Sequence, residues 1–170
     1  TFKSILEQAN SKKERKALLA NKVEDMLNTV IRQIAFFQFE KEVHILRKST
    51  ELSIDQICSI WMDVQKASLG PSIKYEEEYK YFWSYIPHFI HSPFYVYAYA
   101  FGDCLVNSLF NTYEKGLPNF DDKYINLLKS GGSKKYNELF SPFNLNLSKK
   151  SFWKKGLNVI ESFIDELETL

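Results

Sequence analysis

Histidine is scarce in this chain, with three in 170 residues, at positions 44, 88 and 91. No His-Glu-x-x-His occurs among them, so the helix-borne zinc motif of many metallohydrolases has nowhere to sit. Cysteine is scarcer still. Cys58 and Cys104 fall inside apolar helical patterns and are not spaced as a metal pair. They are expected to be buried thiols rather than a disulfide, which suits a reducing cytosol. Neither sign of charge prevails, with 22 Lys and Arg against 21 Asp and Glu. That balance argues against a nucleic-acid partner held by phosphate neutralisation, since only the short Lys12 to Lys16 cluster stands out as basic. No apolar run reaches the roughly 18 residues of a membrane span, and the N-terminus lacks a signal-peptide core. Internal repeats and low-complexity segments are absent too. A chain this long fits one domain and buries about 70% of its unfolded surface.

What is present is helical periodicity. Phe2, Ile5 and Leu6 have helix spacing in Thr1 to Gln8. Ser11 with Glu14 three residues on reads as a capping box. A long helix is then expected to about Lys48, with Leu19, Val23, Met26, Val30, Ile34 and Phe37 as its core stripe. Glu40 and His44 lie one turn apart on that helix, so the carboxylate can orient the imidazole; no third ligand accompanies them, and a metal site is not expected. Ser53 and Gln56 start the next helix, which Gly70-Pro71 stops. Tyr75 to Tyr81 reads as a solvated turn docking its rings. Asp121 or Asp122 is expected to cap a short helix to Leu128, and Ser133 the next one. Ser130-Gly131-Gly132-Ser133 lacks the lysine and strand of a phosphate loop. It can instead offer backbone amides to a peptide. Ser141 to Ser148 reads as a loop, and Ser151 to Leu170 as a last amphipathic helix with Phe152, Leu157, Ile160, Phe163, Ile164 and Leu167 inward. The expected class is all-α, with five or six main helices.

Chemistry concentrates in residues 88 to 102, His-Phe-Ile-His-Ser-Pro-Phe-Tyr-Val-Tyr-Ala-Tyr-Ala-Phe-Gly. Two of the three histidines and three alternate phenols share this stretch. Pro87 and Pro93 force extended backbone on Ile86 and Ser92, so His88 to Ser92 is expected as a loop or short turn. A helix is expected from Pro93, which would put Tyr95 and Tyr99 on one face and Tyr97 on another. Two readings stand at this point. The phenols are either ring-packed residues whose hydroxyls find backbone partners, or hydrogen-bond donors around something polar.

Ile86-Pro87-His88-Phe89 followed by Pro93 through Ala100 resembles the signature near the C-terminus of oligoendopeptidase F-type zinc metallopeptidases, within the thimet oligopeptidase family. Arg32-Gln33, Phe36 through Glu40 with His44, Leu127 through Ser133, and Phe152 through Leu157 resemble other segments of that family in the same order. One position departs from it: many relatives carry Tyr where this chain has Ile90. The resemblance implies the multi-helix C-terminal part of a larger helical zinc-metallopeptidase catalytic domain, with residues 1–170 as a single helical unit of it. The zinc ligands would then lie on polypeptide outside this chain, which alone would not hydrolyse peptides. A targeting segment on the longer protein is left open.

By the same resemblance His88 serves intermediate stabilisation or substrate positioning, Tyr95 and Tyr97 are phenolic donors, and Tyr99 contacts substrate; His91 is less firmly tied to the pattern and reads as a substrate-subsite or loop residue. A neutral phenol, with a reference pKa of about 10, donates at pH 7 without adding charge. The implied partners are short peptides and the remainder of the same protein, in the cytoplasm, with no membrane and no nucleic acid. Fourteen Phe, ten Tyr and three Trp are many for a chain of this size, so some rings are expected on a surface that the remainder of the protein would cover and through which the fragment can self-associate. A reading from another class is a free-standing helical interaction module whose aromatic surface grips a partner helix.

Overall fold

In the computed structural model, which describes residues 2–170, helix punctuation follows local chemistry wherever the sequence carries it. Helix α1 is Phe2–Glu7, within the helical segment expected over Thr1 to Gln8; Thr1 lies outside the described residues. Helix α2, Lys12–Thr29, opens on Ser11, whose Oγ accepts the Glu14 amide at 3.1 Å. The Glu14 carboxylate reaches one residue further back than a simple box would have it, to the Asn10 amide at 2.7 Å.

The expected single helix to Lys48 is broken at Val30, and α3 is Ile31–Leu46. Thr29, Val30 and Ile31 are three consecutive β-branched residues, each stiff at χ1 and a poor helix former. The Gln33 side chain donates to the Asn28 carbonyl beside the break at 3.4 Å. Helix α4, Ile54–Leu69, has the full reciprocal Ser53–Gln56 capping box and ends on Gly70 at φ 73°, a conformation that favours glycine.

After α4 comes a 3-10 helix, Glu77–Tyr85, then the single turn α5, His88–His91, and α6, Tyr97–Glu114. The helix expected from Pro93 therefore begins four residues later. The remainder comprises α7 (Phe120–Ser130), α8 (Tyr136–Phe140), a 3-10 turn at Ser141–Phe143, and α9 (Lys150–Thr169). Neither Asp121 nor Asp122 caps α7: Asn119 holds that position, and both acids lie in the first turn, where they complement the helix dipole. Ser133 does not cap α8 either, because its hydroxyl donates to the Ser130 carbonyl. No strand is assigned among the described residues, and the chain is all-α.

Two compact units divide the chain. One holds residues up to Met26 together with Gly102–Leu170; the other is Leu27–Phe101. In the first, Leu19, Met26, Cys104, Phe143, Phe152 and Ile160 are buried. Arg15 bridges Glu166 and also donates to the Leu6 carbonyl at 3.0 Å, tying α1, α2 and α9 together. Leu157, expected inward, is exposed; its neighbour Gly156 is buried instead, because α9 meets α6 there with no room for a side chain. A Cβ at Gly156 would come within 2.8 Å of Cys104 Cα and Cβ. Burial, reinforced by the Asp103 charge, pushes the Cys104 thiol up to about 11.

The second unit is built around Trp61, which is buried with Phe36, Phe39, Ile86 and Val96. Its indole N–H donates to the Tyr79 carbonyl at 3.0 Å, so the one polar atom of the ring is satisfied inside the core. Buried Gln65 receives both neighbouring phenols: Tyr75 donates to its backbone carbonyl and Tyr79 to its side-chain oxygen. Burial holds the pKa of both phenols above the usual range, which keeps them protonated as donors. The 3-10 helix is thereby fastened to α4, and it delivers the chain to Pro87 and the histidine turn.

Candidate active site in the histidine–tyrosine turn

Pro87 starts α5, and the Ser92 amide closes it on the His88 carbonyl at 3.0 Å. Phe94 then adopts φ 61°, a left-handed backbone that costs a non-glycine residue roughly 1 kcal/mol or more. Beyond it, the Tyr95 amide returns to the Ser92 carbonyl at 3.1 Å and α6 begins. The turn folds the phenols back over the histidine that precedes them.

Three of the five expected site residues meet. His88 Nε2 lies 2.9 Å from the Tyr99 hydroxyl, the His88 ring stacks on Tyr95 at 6.2 Å, and Tyr95 meets Tyr99 edge-on at 5.6 Å. Tyr97 is elsewhere, its ring edge-on to Phe37 at 6.1 Å. Helical period thus predicted the Tyr95–Tyr99 face and the separation of Tyr97, even though the helix starts later than expected. His91 is exposed at the end of α5, and its ring makes no hydrogen bond to any described residue.

The hydroxyls divide by use. That of Tyr99 is engaged with His88, whereas those of Tyr95 and Tyr97 have no hydrogen-bond partner among the described residues, and these side chains are 53% and 54% exposed. Two phenols therefore face solvent ready to donate. A third fixes the imidazole, either by donating to Nε2 or by accepting from it according to tautomer.

Glu40 does not pair with His44. It is 2% exposed on α3, and its Oε1 accepts the Phe94 amide at 2.7 Å while Oε2 has no partner. The His44 ring packs on the Phe94 ring at 4.8 Å. The expected carboxylate–imidazole contact is replaced by a joint grip on one residue of the turn, a tertiary event that one-turn spacing on α3 cannot reveal. Arg32 stacks over Phe36 at 5.2 Å. No group of three or more His, Cys, Asp or Glu among the described residues is arranged to hold a metal ion. No helix among them is long and apolar enough to cross a membrane.

The family model for peptidase family M3 matches residues 2–159. The chain belongs to that family. Among M3-like relatives, an oligoendopeptidase F homolog from Borreliella burgdorferi is 28% identical over 167 residues, covering 98% of this chain and 28% of that protein. Oligopeptidase PepF from Bacillus subtilis is 27% identical, with 98% and 25% covered. The crystal structure of oligoendopeptidase-F from Enterococcus faecium has the same fold, with a TM-score of 0.87 at 23% identity over 99% of this chain and 33% of that one. The chain thus spans about a quarter to a third of the length of these M3-type proteins.

Proposed function

We propose that this chain is the C-terminal portion of the catalytic domain of a zinc-dependent oligoendopeptidase that cleaves internal bonds of short peptides. Family membership supports the reaction class, and the similarity to oligoendopeptidases and oligopeptidases supports the substrate class. The observation that carries the assignment of roles is the division of hydroxyls around His88. The Tyr99 hydroxyl, 2.9 Å from Nε2, holds the imidazole ring for one task, whichever of the two atoms carries the shared proton. His88 then positions the substrate or stabilises the intermediate. Tyr95, stacked on His88, donates to the oxygen that becomes negative when the peptide carbonyl is attacked, and Tyr97, whose ring lies apart against Phe37, is the second phenolic donor to the bound peptide. A neutral donor held in place before the charge develops is worth more than one that must reorganise. His91, exposed beside them, is a substrate contact.

The described residues do not form a metal site, so zinc in this reading is held by polypeptide outside these 170 residues. The chain alone is accordingly inactive.

The test is a quenched-fluorescence assay on a short internal peptide, with the longer protein expressed in zinc. Removing a single aimed donor lowers turnover by about 10²–10³-fold, so His88→Ala and Tyr97→Phe are each expected in that range. Near-normal turnover in both variants, with folding intact, removes the assignment. Hydrolysis by the 170-residue chain alone would remove the division of labour.

A further inference from the structure

One face of α3 holds the turn that assembles the site. Phe37, Glu40 and His44 recur at helical spacing, and all three converge on Phe94. Phe37 meets its ring edge-on at 6.3 Å, His44 packs on the ring at 4.8 Å, and Glu40 takes its amide at 2.7 Å. Phe94 is the residue forced into left-handed backbone, and Tyr95 follows it directly. A carboxylate is an unusual choice for a buried acceptor, since burying one without a full set of donors is costly, and Oε2 here has none.

We propose that Glu40 is a positioning residue for the His88–Tyr95–Tyr99 cluster. Its Oε1 holds the Phe94 N–H so that the chain turns left-handed and lays Tyr95 and Tyr99 against His88. Resting on the catalytic reading above, this makes Glu40 a determinant of turnover although it touches neither the histidine nor the phenols. What matters is reach: the acceptor must stand one glutamate length from α3. Without it, a part-buried amide and an unfavourable backbone angle lose their compensation together, and the turn relaxes toward ordinary helical angles that would begin α6 early.

Two near-isosteric variants of the longer protein separate reach from charge. Glu40→Gln keeps an acceptor at the Oε1 position and puts its amide nitrogen where Oε2 already lacks a partner. Glu40→Asp keeps the charge but withdraws the acceptor by one methylene. Misplacement of about 1 Å in a catalytic constellation can lower turnover about a hundredfold, so kcat is expected to fall about 10- to 100-fold in Glu40→Asp, with KM within about twofold. Turnover in Glu40→Gln should stay within about threefold of wild type, the rescue that a geometric role demands. In a Tyr99→Phe background the Asp effect should shrink to about threefold or less, because the two changes act on one unit.

Hydrogen exchange gives a readout independent of activity. The Phe94 to Tyr99 amides should keep wild-type protection in Glu40→Gln and exchange about tenfold faster or more in Glu40→Asp. An active Asp variant with an inactive Gln variant would show that charge matters and overturn the proposal. So would equal losses in both that track a lowered melting temperature, or an Asp effect undiminished by Tyr99→Phe. If the wild type itself proves inactive on peptides, the exchange result still decides the role of Glu40, and only the catalytic reading falls.

Discussion

Around Trp61 the packing is made of rings: Phe36, Phe39 and Phe89 stand 5.2–6.5 Å from the indole between centroids. At Gly156 the packing is made of nothing, a helix face with no side chain laid on the backbone of Cys104. The first unit of contact is large and depends on volume; the second is small and depends on the absence of volume. They teach that the aromatic-rich unit is built to hold polar groups in place. Its core satisfies the Trp61 N–H, receives the hydroxyls of Tyr75 and Tyr79, and fixes the Phe94 amide, while the α6–α9 contact at Gly156 has one buried polar link nearby, from the Ser108 hydroxyl to the Phe152 carbonyl at 3.4 Å.

Breaking the ring side should have the largest effect. Trp61→Ala leaves a cavity where the side chain is nearly fully buried and strands the Tyr79 carbonyl, so it should cost about 3–5 kcal/mol in chemical denaturation. The opposite operation tests the other contact. Gly156→Ala adds one carbon 2.8 Å from backbone, which cannot yield as a flexible side chain would. Overpacking should therefore outweigh the helix-propensity gain and destabilise by about 1–3 kcal/mol. A neutral or stabilising Gly156→Ala would mean that the two helices separate easily and that the contrast is overstated.

The smallest expected effect lies in alkaline solution. The Cys104 thiol is raised from 9.0 to about 11 by burial and the Asp103 charge, so the folded chain disfavours the thiolate. Stability from this group is full below pH 9 and is lost as pH rises to about 11, because the unfolded chain ionises first. Melting temperature should fall across that window, and Cys104→Ser should flatten the dependence. Below it, Cys104 should resist alkylation in the native protein.

Much of the helical frame was legible because its signals are local. Ser53 with Gln56 and Gly70 with Pro71 punctuate α4 as their chemistry dictates, and the four-residue interval between Tyr95 and Tyr99 brought those rings together. What escaped the sequence depends on partners far along the chain. Phe94 is held out of helix by Glu40, 54 residues earlier, so the proline at 93 suggested a helix start that the tertiary contact overrides. Period points Leu157 inward, yet the buried position falls to the glycine beside it, because close approach of two helices leaves no hydrophobic signature. The pairing of His88 with Tyr99 joins a one-turn helix to the next helix across an irregular turn, which no fixed interval encodes.

Position 94 carries two demands that no single amino acid meets. Its backbone angle suits glycine or asparagine, while the slot between Phe37 and His44 suits an aromatic ring. Phenylalanine answers the second demand and leaves the first to a neighbour's carboxylate. A library randomised at this one codon should therefore contain no outright winner. Paired randomisation with codon 40 should instead yield two families of survivors, one keeping the ring and its acceptor, the other giving up both for a residue that turns left unaided.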